Sequence, residues 1–318
     1  MSAVPASPPP LLVVAGPTAA GKSRLGVEVA EAIEGEIVSA DAFAVYRGLD
    51  IGTDTPDAST RRRVAHHLID VAAPTERLSA GAFADLARPV INDIRRRGAT
   101  PIVVGGTHFW IRALLVGLFP DPVSDPQRRR ELRDEWRRDP TGTYERLVRL
   151  DPESAVRIGP ADGQRIQRAL EVVERTGTPL SEHWRRHPKT PRYRALIVVP
   201  ERSREELDAR IEARVERMFA AGLEEEVRRL LQSGVPTEAH ALKAIGYREI
   251  VASIEGRMTL AEAADRIKTS SRQLARRQLT WLRSMSEGAV HWVPPAESGG
   301  AEAVIALWRR HSNEGGAR

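Results

Sequence analysis

The sequence predicts an α/β fold built on a parallel sheet, and three observations predict it. Short apolar runs of strand length recur at intervals that leave room for a helix between them. The first run, Leu11-Leu12-Val13-Val14-Ala15, passes through Gly16-Pro17-Thr18-Ala19-Ala20-Gly21-Lys22-Ser23 into an amphipathic stretch. That octet is the phosphate-loop pattern G-x-x-x-x-G-K-[ST], set between a strand and a helix as its chemistry requires. Strands separated by helices pair in parallel, because a crossover brings each strand back in the same direction. The expected class is therefore a P-loop NTPase-like parallel sheet with flanking helices. The third observation is a change of character near residue 120, which interrupts the sheet with a basic, all-helical insertion.

Each element follows in order. The first helix is expected over 23–33, and Gly35-Glu36-Ile37-Val38-Ser39 reads as a second strand running into Ala40-Asp41. Residues 67–71 are a third strand candidate. Over 78–97, Phe83, Leu86, Val90 and Ile94 recur at helical spacing, and Gly98 ends the helix. Residues 101–106 form a continuous apolar strand with a glycine exit. Ligands of such sheets bind beyond the carboxyl ends of the strands. The loops at 16–23, 39–41 and 105–107 are thus expected to converge on one site. Residues 121–194 carry 17 Lys and Arg against 13 Asp and Glu and are studded with Pro. The apolar run from Arg194 to Pro200 resumes the sheet. Helices follow over 205–221, 222–232 and 260–284, and residues 264–284 hold six cations and one anion. The expected organisation is a disordered lead-in at 1–10, a catalytic core of 11–120 and 195–312, and the insertion at 121–194.

Composition narrows the function classes. The chain has 318 residues and a net charge of +5, a mild basic excess that permits a polyanionic partner. It has no Cys, which excludes disulfides, thiolate metal sites and a cysteine nucleophile and suits a cytoplasmic setting. No apolar run approaches membrane-spanning length, and the Pro-rich start lacks the features of a signal peptide. With no exposed apolar heptad, a monomer is expected.

The chemistry-bearing residues follow from the loop. Gly16 and Gly21 permit a nest of backbone N–H groups, formed with Pro17, Thr18, Ala19 and Ala20, around a diphosphate or triphosphate. Lys22 would reach the terminal phosphates, and Ser23 would hold Mg²⁺. Asp41, at a strand end beside the loop, is the candidate base or metal ligand; a helix cap or turn is the alternative. Thr18 and Thr107 would face the same crevice, although Thr107 also suits a helix cap. Arg210, Arg214 and Arg217 share a helical spacing suited to a diphosphate, with surface ion pairs as the alternative. Gln164, Arg165 and Arg168 on an insertion helix can grip phosphates and base edges, or form a solvated face. Lys243-Ala244-Ile245-Gly246-Tyr247-Arg248 sets a glycine bend before an aromatic and a cation, able to stack a base and clamp a phosphate. Arg272-Gln273, Arg276-Arg277-Gln278 and Trp281 form a basic face suited to a nucleic-acid backbone, or a core Trp under a solvated helix. His66 and His67 are adjacent, point different ways and are taken as structural.

Together these segments resemble the tRNA dimethylallyltransferase (isopentenyl-tRNA transferase) family. The matching runs are the P-loop octet, Ser39-Ala40-Asp41, Val45-Tyr46-Arg47-Gly48-Leu49-Asp50-Ile51-Gly52-Thr53 and Val104-Gly105-Gly106-Thr107. They continue through Gln164-Arg165 with Arg168-Ala169-Leu170-Glu171, Gly222-Leu223, Glu226-Val227, Ile245-Gly246-Tyr247-Arg248 and the segment from Arg272 to Trp281, so that about residues 11–285 are covered. The resemblance implies transfer of a dimethylallyl group from dimethylallyl diphosphate to N6 of adenosine 37, beside the tRNA anticodon. It implies a P-loop that cradles a prenyl diphosphate, Asp41 as base, and Thr18, Lys22, Arg214 and Mg²⁺ on Ser23 around the diphosphate. It also implies tRNA contacts from Asp41, Ala42, Phe43, Ala44, Thr107, Arg129, Gln164, Arg165, Ile166, Gln167, Arg168 and residues 243–248, with the insertion as the tRNA-binding unit and the channel between it and the sheet. The chain departs from the family at Ala42 and Ala44, where a Ser and often a Gln are common, and at Trp110, where a Tyr is common. The alternatives are a P-loop small-molecule kinase, a non-catalytic RNA-binding P-loop protein, and a relative acting on free adenine nucleotides.

Overall fold

A computed structural model describes residues 8–118, 125–186 and 190–313. In chain order the elements are β1 (Pro10–Ala15), α1 (Lys22–Ala32), β2 (Gly35–Ser39), α2 (Ala58–Arg63), β3 (His66–His67), α3 (Ala80–Arg96), β4 (Thr100–Gly105) and α4 (His108–Val116). Five helices follow: α5 (Pro126–Arg138), α6 (Pro140–Leu150), α7 (Pro152–Ile158), α8 (Gly163–Thr176) and α9 (Leu180–Arg186). The chain then returns through β5 (Arg194–Pro200), α10 (Arg204–Ala220), α11 (Leu223–Gln232), α12 (Tyr247–Ile254), α13 (Leu260–Arg283), β6 (Ala289–Val293) and α14 (Gly300–Asn313).

The six strands form one parallel sheet in the order β3-β2-β4-β1-β5-β6. The first strand lies inside the sheet between β4 and β5, so its carboxyl end opens between two neighbours. Its residues alternate between two cores. Leu11, Val13 and Ala15 face the layer that includes α3, α4 and α10–α13, whereas Leu12 and Val14 face α1 and α14. Burial on both faces explains why β1, β4 and β5 read as unbroken apolar runs rather than alternating ones.

The chain divides into two compact units, one ending at Val116 and resuming at Pro191, the other from Gly117 to Thr190. In the second unit three helices begin on an Asp-Pro pair. Asp125, Asp139 and Asp151 cap α5, α6 and α7 by accepting backbone N–H groups, and the proline at the first helical position needs no such partner. The proline-studded composition is thus a series of helix starts. Leu132, Leu147, Ile166, Leu170 and Val172 fill the unit's own core.

Several expectations are corrected. Arg194, placed at the end of the insertion, is the first residue of β5 and pairs with Pro10, which itself belongs to β1 rather than to a disordered lead-in. Residues 1–7 and 119–124 lie outside the described residues. The strand expected at 67–71 is only His66–His67, because Leu68 and Asp70 adopt left-handed backbone with φ of 62° and 57°. The helix at 80–96 buries Phe83, Ala87, Ile91 and Ile94, while Leu86 is 41% exposed. Stacking of Phe83 on Trp110, with centroids 4.6 Å apart, accompanies this rotation of the apolar face. Neither β6 nor α14 was anticipated; β6 is an edge strand of mixed polarity.

The close approach of β4 to β2 depends on Gly105, where a Cβ would fall inside contact distance of the Ala40 carbonyl. Gly105→Ala is expected to cost about 2–3 kcal/mol or more, because backbone and not a flexible side chain stands in the way. Gly98→Ala has a strained φ of 83° but meets nothing within 4 Å, and is expected to cost about 1 kcal/mol. Urea unfolding of the two variants checks the order.

Candidate active site

The loops after β1, β2 and β4 converge, as the topology requires, on a cleft of about 410 Å³. The loop after β1 wraps tightly: Gly21, at φ 91°, begins α1, and Ala19 adopts left-handed backbone at φ 64°. Lys22 and Ser23 open the helix and line the cleft. Lys22 Nζ donates to the Pro17 carbonyl at 2.7 Å. Burial and the neighbouring Arg214 lower its pKa to about 8, against the opposing pull of Asp41 and Asp54.

Two arginines of α10 reach this loop. Arg214 Nη1 donates to Thr18 Oγ1 at 2.9 Å, and its Nε lies 3.7 Å from Asp54. Arg210 Nε donates to the Ala19 carbonyl at 2.7 Å. Arg217, on the same helical spacing, is exposed and does not line the cleft. From α13, Gln278 accepts the Thr18 N–H at 2.8 Å and donates to the Gly106 carbonyl at 2.8 Å. One side chain therefore ties the loop after β1 to the loop after β4.

Asp41 lies at the β2 exit and lines the cleft. Its Oδ1 accepts the N–H groups of Phe43 at 2.9 Å and Ala44 at 3.2 Å; Oδ2 has no partner among the described residues. Asp41 is thus both a turn cap and a carboxylate with one oxygen available to a ligand. Thr107 Oγ1 accepts the Ala42 N–H at 2.9 Å and fixes this turn to the β4 exit. The far wall of the cleft is aliphatic, with Ile211, Val215 and Met218 from α10 and Ile267 and Leu274 from α13.

Other expected site residues fall into two groups. Lys243 and Arg248 are exposed and line the cleft. Tyr247 is not placed to stack a base: it is 0% exposed, and its hydroxyl donates to Glu226 at 2.6 Å. Burial and the Glu226 charge push the phenol pKa up, so the proton stays on Tyr247. Glu226, which sequence reasoning missed, also accepts the N–H groups of Asp50, Ile51 and Gly52. It thereby holds the segment that carries Asp54 to Arg214. Ala244 and Gly246 are buried beside Tyr247 and Ile245 is partly so. In the insertion, Gln164 and Arg165 are exposed, Gln167 and Arg168 half-exposed, and Ile166 buried. Arg129 and Arg168 both bind Glu171, which is 1% exposed; burial raises its pKa, but the two guanidinium groups hold it below the usual carboxylate value. No group of three or more His, Cys, Asp and Glu suited to a metal occurs among the described residues. His66 and His67 bind the Val64 carbonyl and Glu36 separately.

His108 was not anticipated either. It is 5% exposed and stacks on Trp281 of α13 at 4.9 Å. Burial, with a lesser contribution from Lys22, lowers its pKa to about 4. The unfolded chain binds this proton at higher pH, so stability is full near neutrality and falls as pH drops from about 6.5 towards 4. His108→Phe is expected to reduce that loss by up to about 1.4 kcal/mol per pH unit, measured by urea unfolding at pH 7 and pH 5.

Comparison with known proteins bears on this arrangement. Residues 44–285 match the family model for IPP transferase. A Geobacter metallireducens protein named tRNA dimethylallyltransferase is 47% identical over 285 residues, covering 89% of this chain and 92% of the relative. A Sorangium cellulosum protein of the same name is 43% identical over 286 residues, covering 89% and 90%. The full-length tRNA isopentenylpyrophosphate transferase of Bacillus halodurans has a similar structure, with a TM-score of 0.71, 33% identity and coverage of 96% and 97% of the two chains. A eukaryotic dimethylallyltransferase acting on tRNA gives a TM-score of 0.81 at 26% identity, covering 95% and 79%. Among the described residues no helix is long and apolar enough to cross a membrane. With P-loop, carboxylate and aliphatic wall in one cleft and a match over most of its length, this chain belongs to the IPP transferase family.

Proposed function

We propose that this chain transfers a dimethylallyl group from dimethylallyl diphosphate to N6 of adenosine 37 in tRNA. The observation that carries this reading is the composition of a single cleft. It joins a backbone cradle for a diphosphate, a carboxylate with one oxygen available, and an aliphatic wall of Ile211, Val215, Met218, Ile267 and Leu274. That combination suits a short apolar chain carried on a diphosphate, and the volume lies in the range of small-molecule sites.

The reaction forms an N6–C1 bond and breaks the C1–O bond of the allylic diphosphate, whose electron pair leaves with the diphosphate oxygen. The exocyclic amine is a weak nucleophile because its lone pair is delocalised into the purine ring. Asp41 Oδ2 accepts its proton, while Oδ1 stays committed to the turn and keeps the carboxylate oriented. Lys22 and Arg214 line the cleft beside the departing diphosphate, Arg210 braces the loop through the Ala19 carbonyl, and the hydroxyl of Thr18 is oriented by Arg214. An unpaired loop adenosine reaches such a cleft at the least unstacking cost. Lys243 and Arg248, together with Gln164 and Arg165 of the insertion, are exposed and fit the role of RNA contacts.

Mg²⁺ fits the donor set. The Ser23 hydroxyl and the Asp54 carboxylate line the cleft. The absence of a carboxylate cage among the described residues suits an ion that keeps phosphate and water ligands. When bound, it supplies positive charge to the leaving diphosphate.

The test is transfer of label from dimethylallyl diphosphate to unmodified tRNA carrying adenosine 3′ to the anticodon, with AMP in parallel. Label in tRNA and not in AMP is expected; no label in either, with tRNA bound, overturns the reading, and phosphate transfer from ATP to a small metabolite would replace it with a kinase. Asp41→Asn keeps the oxygen that caps the turn and is expected to retain tRNA affinity while losing about 10²- to 10⁴-fold in turnover. Arg165→Ala is expected to weaken tRNA binding and lower the slope of log affinity against log salt by about one.

A further inference from the structure

Phe43 lies two residues beyond Asp41 and lines the same cleft. Its ring is nearly parallel to the imidazole of His240, at 16° with centroids 5.9 Å apart. The two come from segments almost two hundred residues apart, and the pair is partly exposed, unlike the core stack of Phe83 on Trp110.

The imidazole is held in position. Tyr46, 0% exposed, accepts the Leu78 N–H at its hydroxyl, 3.2 Å away, and that hydroxyl lies 3.3 Å from His240 Nδ1. The hydroxyl and Nδ1 share a hydrogen bond whose direction the histidine tautomer sets. Burial, then the charges of Arg77 and Lys243, move the imidazole pKa below its ordinary value. Burial and these cations thus disfavour the charged imidazolium. Arg77 and Lys243 are exposed, and neither forms an ion pair among the described residues. An aromatic surface with one ring fixed from behind, bordered by two available cations, has the composition of a single-strand base platform, in which a π-face takes the base and the cations meet phosphate.

We propose that Phe43 and His240 form a stacking platform for a nucleobase of the RNA acceptor, next to the adenosine presented to Asp41, with Arg77 and Lys243 at that nucleotide's phosphates. This rests on the RNA-acceptor reading above. It assigns affinity for a neighbouring nucleotide to stacking, which accepts any base, at a turn where Ala42 and Ala44 offer no polar side-chain atom.

The test pairs protein variants with RNA variants. Wild type, Phe43→Leu and His240→Ala are measured with an anticodon stem-loop and with stem-loops abasic at the 5′ or the 3′ neighbour of the target adenosine. Kd for the RNA, KM for each substrate and kcat are recorded. In wild type, one of the two abasic RNAs is expected to bind about tenfold more weakly, in the range of one lost base stack. Phe43→Leu is expected to show the same loss with intact RNA and no further loss with that abasic RNA, while KM for dimethylallyl diphosphate stays within twofold. Arg77→Ala is expected to reduce the salt slope. Equal abasic penalties in wild type and Phe43→Leu, or no penalty for either abasic RNA in wild type, overturn the platform. Failure of wild type to prenylate the intact stem-loop is a separate result: it overturns the transferase reading, and the Kd comparisons still decide the platform.

Discussion

The site depends on one amide. Gln278 accepts the Thr18 N–H and donates to the Gly106 carbonyl, so its two ends satisfy groups from loops that follow adjacent parallel strands. The Thr18 N–H and the Gly106 carbonyl, groups at the carboxyl edge of the sheet, both find their partner in this one side chain. A helix from far along the chain closes the arrangement. Stacking of Trp281 on His108, at the start of α4, fixes the same helix one turn further on. The amide donates and accepts without adding charge, where a carboxylate would cancel part of the field of Lys22, Arg214 and Arg210.

That field explains much of the local structure. Three cations gather about a loop whose own N–H groups and helix start also favour negative charge. Their mutual repulsion is offset by carboxylates held at the margins: Asp41 through the turn it caps, Asp54 through the segment anchored by Glu226 and Tyr247. A diphosphate is the electrostatic complement of this arrangement, and the aliphatic wall from α10 and α13 supplies the complement of a hydrocarbon tail. The loops at the sheet edge bring Lys22 and Asp41 together, and the helices after β5 supply Arg210 and Arg214 along with the apolar wall.

Much of this was legible in the sequence where the signal is local. The P-loop octet, the runs of β1, β2, β4 and β5, and the position of Asp41 at a strand end all follow from spacing and hydrophobic pattern. What was not legible depends on contacts between distant segments. Tyr247 reads as an exposed aromatic beside cations, yet it is consumed by Glu226, and no local pattern distinguishes the two uses. Gln278 reads as one amide on a basic helix, and its role appears only when α13 crosses the P-loop. His66–His67 ends where the backbone turns left-handed at Leu68, a conformation that the residue type does not announce. The edge strand β6 is mixed in polarity because its side chains are partly exposed, with only Val293 buried.

The most direct measurement is hydrogen exchange at the Thr18 amide in Gln278→Ala, together with the affinity for inorganic pyrophosphate in Mg²⁺. Loss of the amide acceptor is expected to speed exchange at Thr18 by tenfold or more and to weaken pyrophosphate binding by a similar factor, about 1.4 kcal/mol. Exchange in the β1 core should stay at the wild-type rate. Unchanged Thr18 exchange with unchanged pyrophosphate affinity would contradict the account, because the phosphate loop would then hold its shape without the bridge.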